Sequence, residues 1–176
     1  MAEKEVRIKI NNVKAFKKKI KALGAECTMK YSFMDYVCEP KQKNWNPHFI
    51  NLKIRHQLTG DKSGIIELSF HQVRWNKKVK VTKLGFKSKL EIPKSNINSF
   101  IDLMGWKKLV AYSRTGEHYK LKNHQFTLEK INHLGYLVEV ENSTVAELNE
   151  TIKLLGEEKN IVKKTIPEMV LEELNK

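Results

Sequence analysis

Residues 3 to 10 read EKEVRIKI, and in an extended strand their side chains fall into two rows. One row is Glu3, Glu5, Arg7 and Lys9; the other is Lys4, Val6, Ile8 and Ile10. Two carboxylates beside two cations suit a divalent ion bound to an anion, because hard cations take carboxylate oxygens while Arg and Lys take phosphate oxygens. The same row also fits an ordinary antiparallel strand with one wet face. FINLKIRHQ (49–57) sets Lys53 and Arg55 opposite Ile50, Leu52 and Ile54, and the strand ending NHLGYLVEVEN (132–142) puts Glu139 and Glu141 on one face. Acidic pairs near both ends of the chain, with a basic pair between them, suit a closed or nearly closed antiparallel barrel in which first and last strands meet. Its inward face would hold carboxylates for divalent cations and, deeper, Arg and Lys for phosphates. Polyphosphate hydrolysis needs that ion to neutralise the chain and to align a water.

The elements that must position these residues follow from periodicity. NNVKAFKKKIKALG (11–24) spaces Val13, Phe16, Ile20 and Leu23 along one helical face, with Asn12 as cap and Gly24 as stop. Strands are expected at 27–37, 49–57, 65–73, 73–83 and 85–92, with an exposed loop around Pro47 and a turn at 58–64. A second helix fits 95–105, capped by Ser95 and stopped by Gly105. Strands at 107–115, 117–122, 125–131 and 132–142 follow. A third helix fits 143–156, where Thr144 and Glu147 have capping-box spacing, and a short last helix begins at Pro167. A strand, a helix ending in LG or MG, and a set of strands thus occur twice, a weak internal duplication in an α+β protein dominated by antiparallel strands. No linker divides residues 1–176, so one domain is expected.

Composition narrows the class. Of 176 residues, 33 are Lys or Arg and 20 are Asp or Glu, a net charge of +13 that points to an anionic partner. Many of the lysines, as in KAFKKKIKAL (14–23), fill the polar side of a helix. No apolar run approaches a membrane span, and MAEKEVRIKI has no apolar signal core, so a cytoplasmic protein without a membrane partner is expected. Cys27 and Cys38 form no CxxC pair, and a zinc site is not expected. The basic stretch NKKVKVTK (76–83) reads as an exposed hairpin surface, with a contact to a bound phosphate as the alternative.

In this order, the motifs resemble those of the CYTH family, the triphosphate tunnel metalloenzymes, over about residues 3 to 171. EKEVR (3–7) matches the family's ExExK with arginine for lysine. KALGA (21–25) resembles its helix ending, MDYVCEP (34–40) a DxYFDxP stretch, and LKIR (52–55) its LRLR strand. Lys89 and Glu91 match a basic-x-acidic pair. Glu129, Leu134-Gly135, Glu139 and Glu141 match the closing acidic pattern, and the tail resembles the family's short C-terminal helix.

The resemblance implies an eight-stranded antiparallel β-barrel with helices outside, acting on a triphosphate-containing small molecule with Mg²⁺ or Mn²⁺. It assigns Glu3, Glu5, Glu129, Glu139 and Glu141 to metal and Arg7, Lys9, Lys53, Arg55, His71, Lys89 and Arg114 to substrate, with Glu5, Arg55 and Glu139 central to catalysis. Three positions depart from the pattern. Glu129 stands where aspartate is usual and His71 where lysine is usual. If Tyr119 fits the family's tyrosine, Arg114 takes the lysine position of a K-x-R pair and Gly116 the arginine position. Cyclases of the family resemble one another in an HF-containing segment ahead of ExExK. Only Met1 and Ala2 precede Glu3 here, which makes triphosphate hydrolysis the expected chemistry and cyclisation of ATP to cyclic AMP an alternative. A non-catalytic basic module that binds RNA or polyphosphate is the other, with nucleic acid as the second-choice partner. The substrate identity and the choice of monomer or homodimer stay open.

Overall fold

The computed structural model describes residues 2–41, 50–58, 65–76, 79–91, 93–142 and 144–176. The expected loop around Pro47 and most of the turn at 58–64 lie outside them. The chain is α+β, with a large antiparallel sheet of nine strands and four α-helices. The strands are β1 (Ala2–Ile10), β2 (Glu26–Pro40), β3 (Ile50–Gln57), β4 (Ile65–Asn76), β5 (Val79–Glu91), β6 (Trp106–Leu121), β7 (His124–Ile131), β8 (Gly135–Asn142) and β9 (Ile161–Val162). They run in the order β5-β4-β3-β2-β6-β7-β8-β1-β9.

The strand β1 connects the two ends of this order. One of its edges pairs with β8 from Lys4 to Ile10, and its first residues, Ala2–Glu5, also pair with Lys83–Lys80 of β5. Beyond Glu5 the pairing with β5 ends, and β9 takes over opposite Arg7 and Ile8. The sheet is therefore not the closed eight-stranded barrel expected: β1 and β5 share four residue pairs, and the two-residue β9 pairs with β1 beyond them. Eight residues of alternating pattern announce a strand, whereas two announce nothing.

Two expected breaks are absent. Gly116 does not divide 107–122, which forms the single strand β6; Gly85 likewise lies inside β5. The stretch 73–83 is instead split, with β4 ending at Asn76 and β5 starting at Val79.

The helices are α1 (Val13–Ala22), α2 (Ile97–Leu103), α3 (Val145–Leu155) and α4 (Ile166–Leu174). Asn12 caps α1 by accepting from the Ala15 amide at 3.0 Å, and Gly24 follows with φ +87°, a conformation glycine adopts without a Cβ penalty. Capping boxes start α3 at Thr144/Glu147 and α4 at Thr165/Glu168. The helix α2 differs from expectation: Ser95 belongs to a 3-10 turn, and Asn96 takes the N-cap position without a side-chain cap bond.

These helices bury the apolar rows of the strands. Val6, Ile8 and Ile10 of β1 pack with Phe16 and Ile20 of α1 and with Leu148, Ile152 and Leu155 of α3. The polar row of β1 therefore faces the other side of the sheet. At one end of that inner face Val37, Val110, Tyr112, Ile131 and Leu137 pack against Ile166 and Val170 of α4. These five share strand parity with Asp35, Arg114, Glu129 and Glu139, so α4 covers one end of the charged face.

Candidate functional site

Cross-strand register brings the charged residues into rows. Arg7 lies opposite Glu139, Glu139 opposite Thr127, and Thr127 opposite His118. Glu5 lies opposite Glu141 on one side and Lys80 on the other. Tyr112, Asp35, Arg55, Glu67 and Lys89 form a third row across five strands.

The first group centres on Arg7. Its guanidinium donates through Nε and Nη2 to Glu139 at 2.9 and 2.7 Å and also pairs with Glu5. Lys80 donates to the same Glu5 at 2.7 Å. Burial would lower the Arg7 pKa, but Glu5 and Glu139 outweigh it and hold the pKa above the usual range. Burial would likewise raise that of Glu139, yet Arg7, Arg114 and Lys80 hold it well below the ordinary carboxylate value. Glu139 is thus ionised at neutral pH. One carboxylate oxygen from each of Glu5, Glu139 and Glu141 lies within 4.8 Å of the others, the spacing of ligands around one cation.

The second group centres on Arg114. It pairs with the fully buried Asp35 at 3.3 Å and with Glu129, which is 1% exposed. Asp35 also accepts from Arg55 Nε and Nη2 at 2.7 and 2.9 Å. Burial alone would raise the Asp35 pKa; Arg55, Lys53 and Arg114 bring it below the usual value. Lys53 makes no ion pair among the described residues. Burial, reinforced by Arg55, lowers its pKa to about 8. Tyr31 donates its phenol to Glu129 and stacks on Phe33 at 4.4 Å between ring centres, and the Arg55 guanidinium lies over the Phe33 ring at 4.3 Å.

Two donors in these groups are left over. Arg7 Nη1 and Arg114 Nε are buried and have no hydrogen-bond partner among the described residues. Buried guanidinium nitrogens are costly to leave unsatisfied, and an anionic oxygen is the group that satisfies them best. His118, whose Nδ1 lies 2.7 Å from Thr127 Oγ1, has its pKa lowered by burial and presents a neutral imidazole beside these charges.

Of the residues singled out from sequence, Glu5, Arg7, Glu139 and Glu141 come together, and Lys53, Arg55, Arg114 and Glu129 form the neighbouring group. Glu129 stands apart from the carboxylate trio and is held by Arg114 and Tyr31. Lys9 is exposed, within electrostatic reach of Glu173 on α4, and Lys89 is exposed at the end of its row. The side chains of Glu3 and His71, in β1 and β4, lie outside the described residues.

Three participants were not anticipated. Lys80 was read as exposed hairpin surface, yet it is 8% exposed and bonded to Glu5. The alternation of Val79 and Val81 with Lys80 and Thr82 carried that signal. Asp35 is a lone acid in the apolar stretch 34–38, and burying it takes two cations. Tyr31 occupies the space above Gly116: a Cβ built there would clash with the hydroxyl end of the phenol ring, 2.6 Å from Cε2. The place expected for a cation at 116 is filled by an aromatic ring.

No protein-family model and no curated sequence matches the chain. Solved structures do match along its length. PH1819 of Pyrococcus horikoshii superposes with a TM-score of 0.79 at 18% identity, covering 97% of this chain and 98% of that one. PH1012 of the same organism gives 0.74 at 19% identity, covering 96% and 99%. The Hippeastrum protein HpAC1, described as a candidate adenylyl cyclase with a dominant triphosphatase activity, gives 0.69 at 13% identity, covering 97% and 95%. The chain therefore shares the fold of these three structures along nearly its whole length.

Proposed function

We propose that this protein is a metal-dependent triphosphatase that hydrolyses a phosphoanhydride within the charged inner face of its sheet. The pairing of Ala2–Glu5 in β1 with Lys83–Lys80 in β5 supports reading this inner face as a tunnel. The observation that carries the reading is the carboxylate trio Glu5, Glu139 and Glu141 set against Arg7, whose Nη1 is buried and unsatisfied.

The donor set fits a hard cation. Three carboxylates offer oxygen ligands only, and Glu139 stays ionised because of the cations around it. Mg²⁺ or Mn²⁺ bound there would supply charge neutralisation and a more acidic water. Arg7 and Arg114 each have a donor free for a phosphate oxygen. Arg55 and Lys53 extend the cationic track, with Asp35 holding Arg55 and Arg114 in place. Water oxygen bonds to the terminal phosphorus as the bridging P–O bond breaks in line, releasing orthophosphate and the shortened chain. Positioning and charge, with no covalent intermediate, account for the chemistry.

The HpAC1 structure supports triphosphate as the substrate class, and its description as a candidate cyclase keeps cyclisation as the second reading. Phosphate release measured across inorganic tripolyphosphate, ATP and thiamine triphosphate, each with Mg²⁺ and with Mn²⁺, separates the two. Release of orthophosphate from at least one substrate is expected. Cyclic AMP and pyrophosphate from ATP, without orthophosphate, would favour the cyclase.

A further inference from the structure

The fully buried charges of the inner face do not account for the net charge of +13. Among the described residues the buried acids Glu5, Asp35 and Glu129 are matched by the buried cations Arg7, Lys80 and Arg114. Further lysines lie on the outside, and α1 concentrates them: Lys14, Lys17, Lys18, Lys19 and Lys21 occur with no acid between Asn11 and Ala25.

Beside α1, on the helix-bearing face of the sheet, is a groove of about 450 Å³. Lys17 of α1 forms one side. Ser32, Thr115, Lys130 and Tyr136 lie in one continuous cross-strand row through β2, β6, β7 and β8. Lys30 stands in the adjacent row, opposite Glu117. Parity places these side chains on the face opposite Asp35 and Glu129. Glu117 is the one acid in the lining. It is occupied by Lys17 at 2.7 Å and by the Tyr119 hydroxyl at 2.6 Å. Lys30 and Lys130 are exposed; Lys30 acts on Glu117 through its charge alone, while the direct contacts to that carboxylate come from Lys17 and Tyr119.

We infer that this outer groove is a second anion site, separate from the tunnel, which binds the phosphodiester backbone of a single-stranded nucleic acid. Two exposed ammonium groups and two hydroxyls take successive phosphates, and the half-exposed Tyr136 ring offers a stacking surface for a base. A bilayer is a poorer fit. The groove is concave, and the apolar face of α1, Phe16 and Ile20, is already buried in the core and cannot insert.

The test uses the whole chain and a 5′-hydroxyl oligouridylate about 12 nucleotides long, within the usual range of single-strand sites and lacking any triphosphate. Binding is followed from about 50 to 200 mM salt. Lys30→Gln/Lys130→Gln, at exposed positions, should weaken binding roughly tenfold or more and reduce the slope of log K against log salt by about 1.4, the value for two lost contacts to a single strand. The double Arg variant should retain binding. Glu139→Gln should bind the oligonucleotide as the wild type does, so failure of the tunnel reading and of this one are told apart. The inference is overturned if the wild type does not bind at low salt, if the double Gln variant binds with the same affinity and slope, or if phosphatidylserine vesicles bind and the oligonucleotide does not.

Discussion

Lys53 and Asp35 lie close together on one face and are perturbed in opposite ways that have measurable consequences. Burial and the neighbouring Arg55 bring the Lys53 pKa to about 8, so in the unliganded protein its ammonium is lost within the mildly alkaline range. Affinity for tripolyphosphate should therefore fall as pH rises above about 8 and be flattened in Lys53→Arg, whose guanidinium stays charged. Titrations at several pH values and fixed ionic strength check this; an unchanged profile in the Arg variant would remove Lys53 from the track. Asp35 is depressed below its unfolded value of about 3.9. A group with a lowered folded pKa contributes stability above the unfolded value and loses it as pH falls through the folded one. Urea midpoints should thus decline below about pH 4. Asp35→Ala, which strips the shared carboxylate from Arg55 and Arg114, should cost roughly 3–5 kcal/mol at neutral pH and reduce that acid-dependent decline, leaving the part that Glu139 contributes. At this scale the sequence was readable where charge alternated with apolar residues, as in EKEVR, because period two decides the face. It was not readable at Asp35 or Tyr31, whose partners Arg55, Arg114 and Glu129 are 20, 79 and 98 residues away.

The strands β2 and β6 form the longest pairing in the sheet, and the contact of Tyr31 with Gly116 depends on their register. The spacing to Tyr119 suggested that an arginine at 116 would add a phosphate contact. With the Tyr31 ring in that space, a side chain at 116 is an overpacking change instead. Gly116→Ala should destabilise the fold by about 1–3 kcal/mol. Truncating the ring in Tyr31→Ala/Gly116→Ala should recover part of that loss relative to the sum of the single changes. Thermal or urea unfolding of the three variants is the measurement; a neutral Gly116→Ala would contradict the packing. Helices were the most legible elements, since Asn12, Thr144 and Pro167 mark three starts within a residue or two. The start of α2 was misread because Ser95 satisfies the cap pattern, yet the chain there first makes a 3-10 turn. Lys80 was missed for a similar reason. A hairpin rich in lysine looks solvated until the pairing of β5 with β1 puts Lys80 against Glu5.

Across the whole molecule, the meeting of first and last strands follows from the acidic pairs near both ends of the chain, and β1 pairs with both β8 and β5. What the sequence could not supply was the partition of the cations between the inner face and the outside, because a lysine on either side of a strand has the same letter. The structure matches the fully buried acids and cations inside and concentrates further lysines on α1 and in the outer groove. Among the described residues no helix is long and apolar enough to cross a membrane. The central claim is that Glu5, Glu139 and Glu141 hold the ion on which triphosphate hydrolysis depends. It is tested most directly by orthophosphate release from tripolyphosphate, with and without saturating Mg²⁺ or Mn²⁺, in the wild type and in Glu139→Gln. Arg7 keeps Glu5 as a partner in that variant, so its fold should survive, as a circular dichroism melt would verify. The account predicts release by the wild type only with metal, and a fall of at least about a hundredfold in the folded variant, the scale of one essential electrostatic contact. Metal-independent release, or a folded Glu139→Gln protein as active as the wild type, would contradict it.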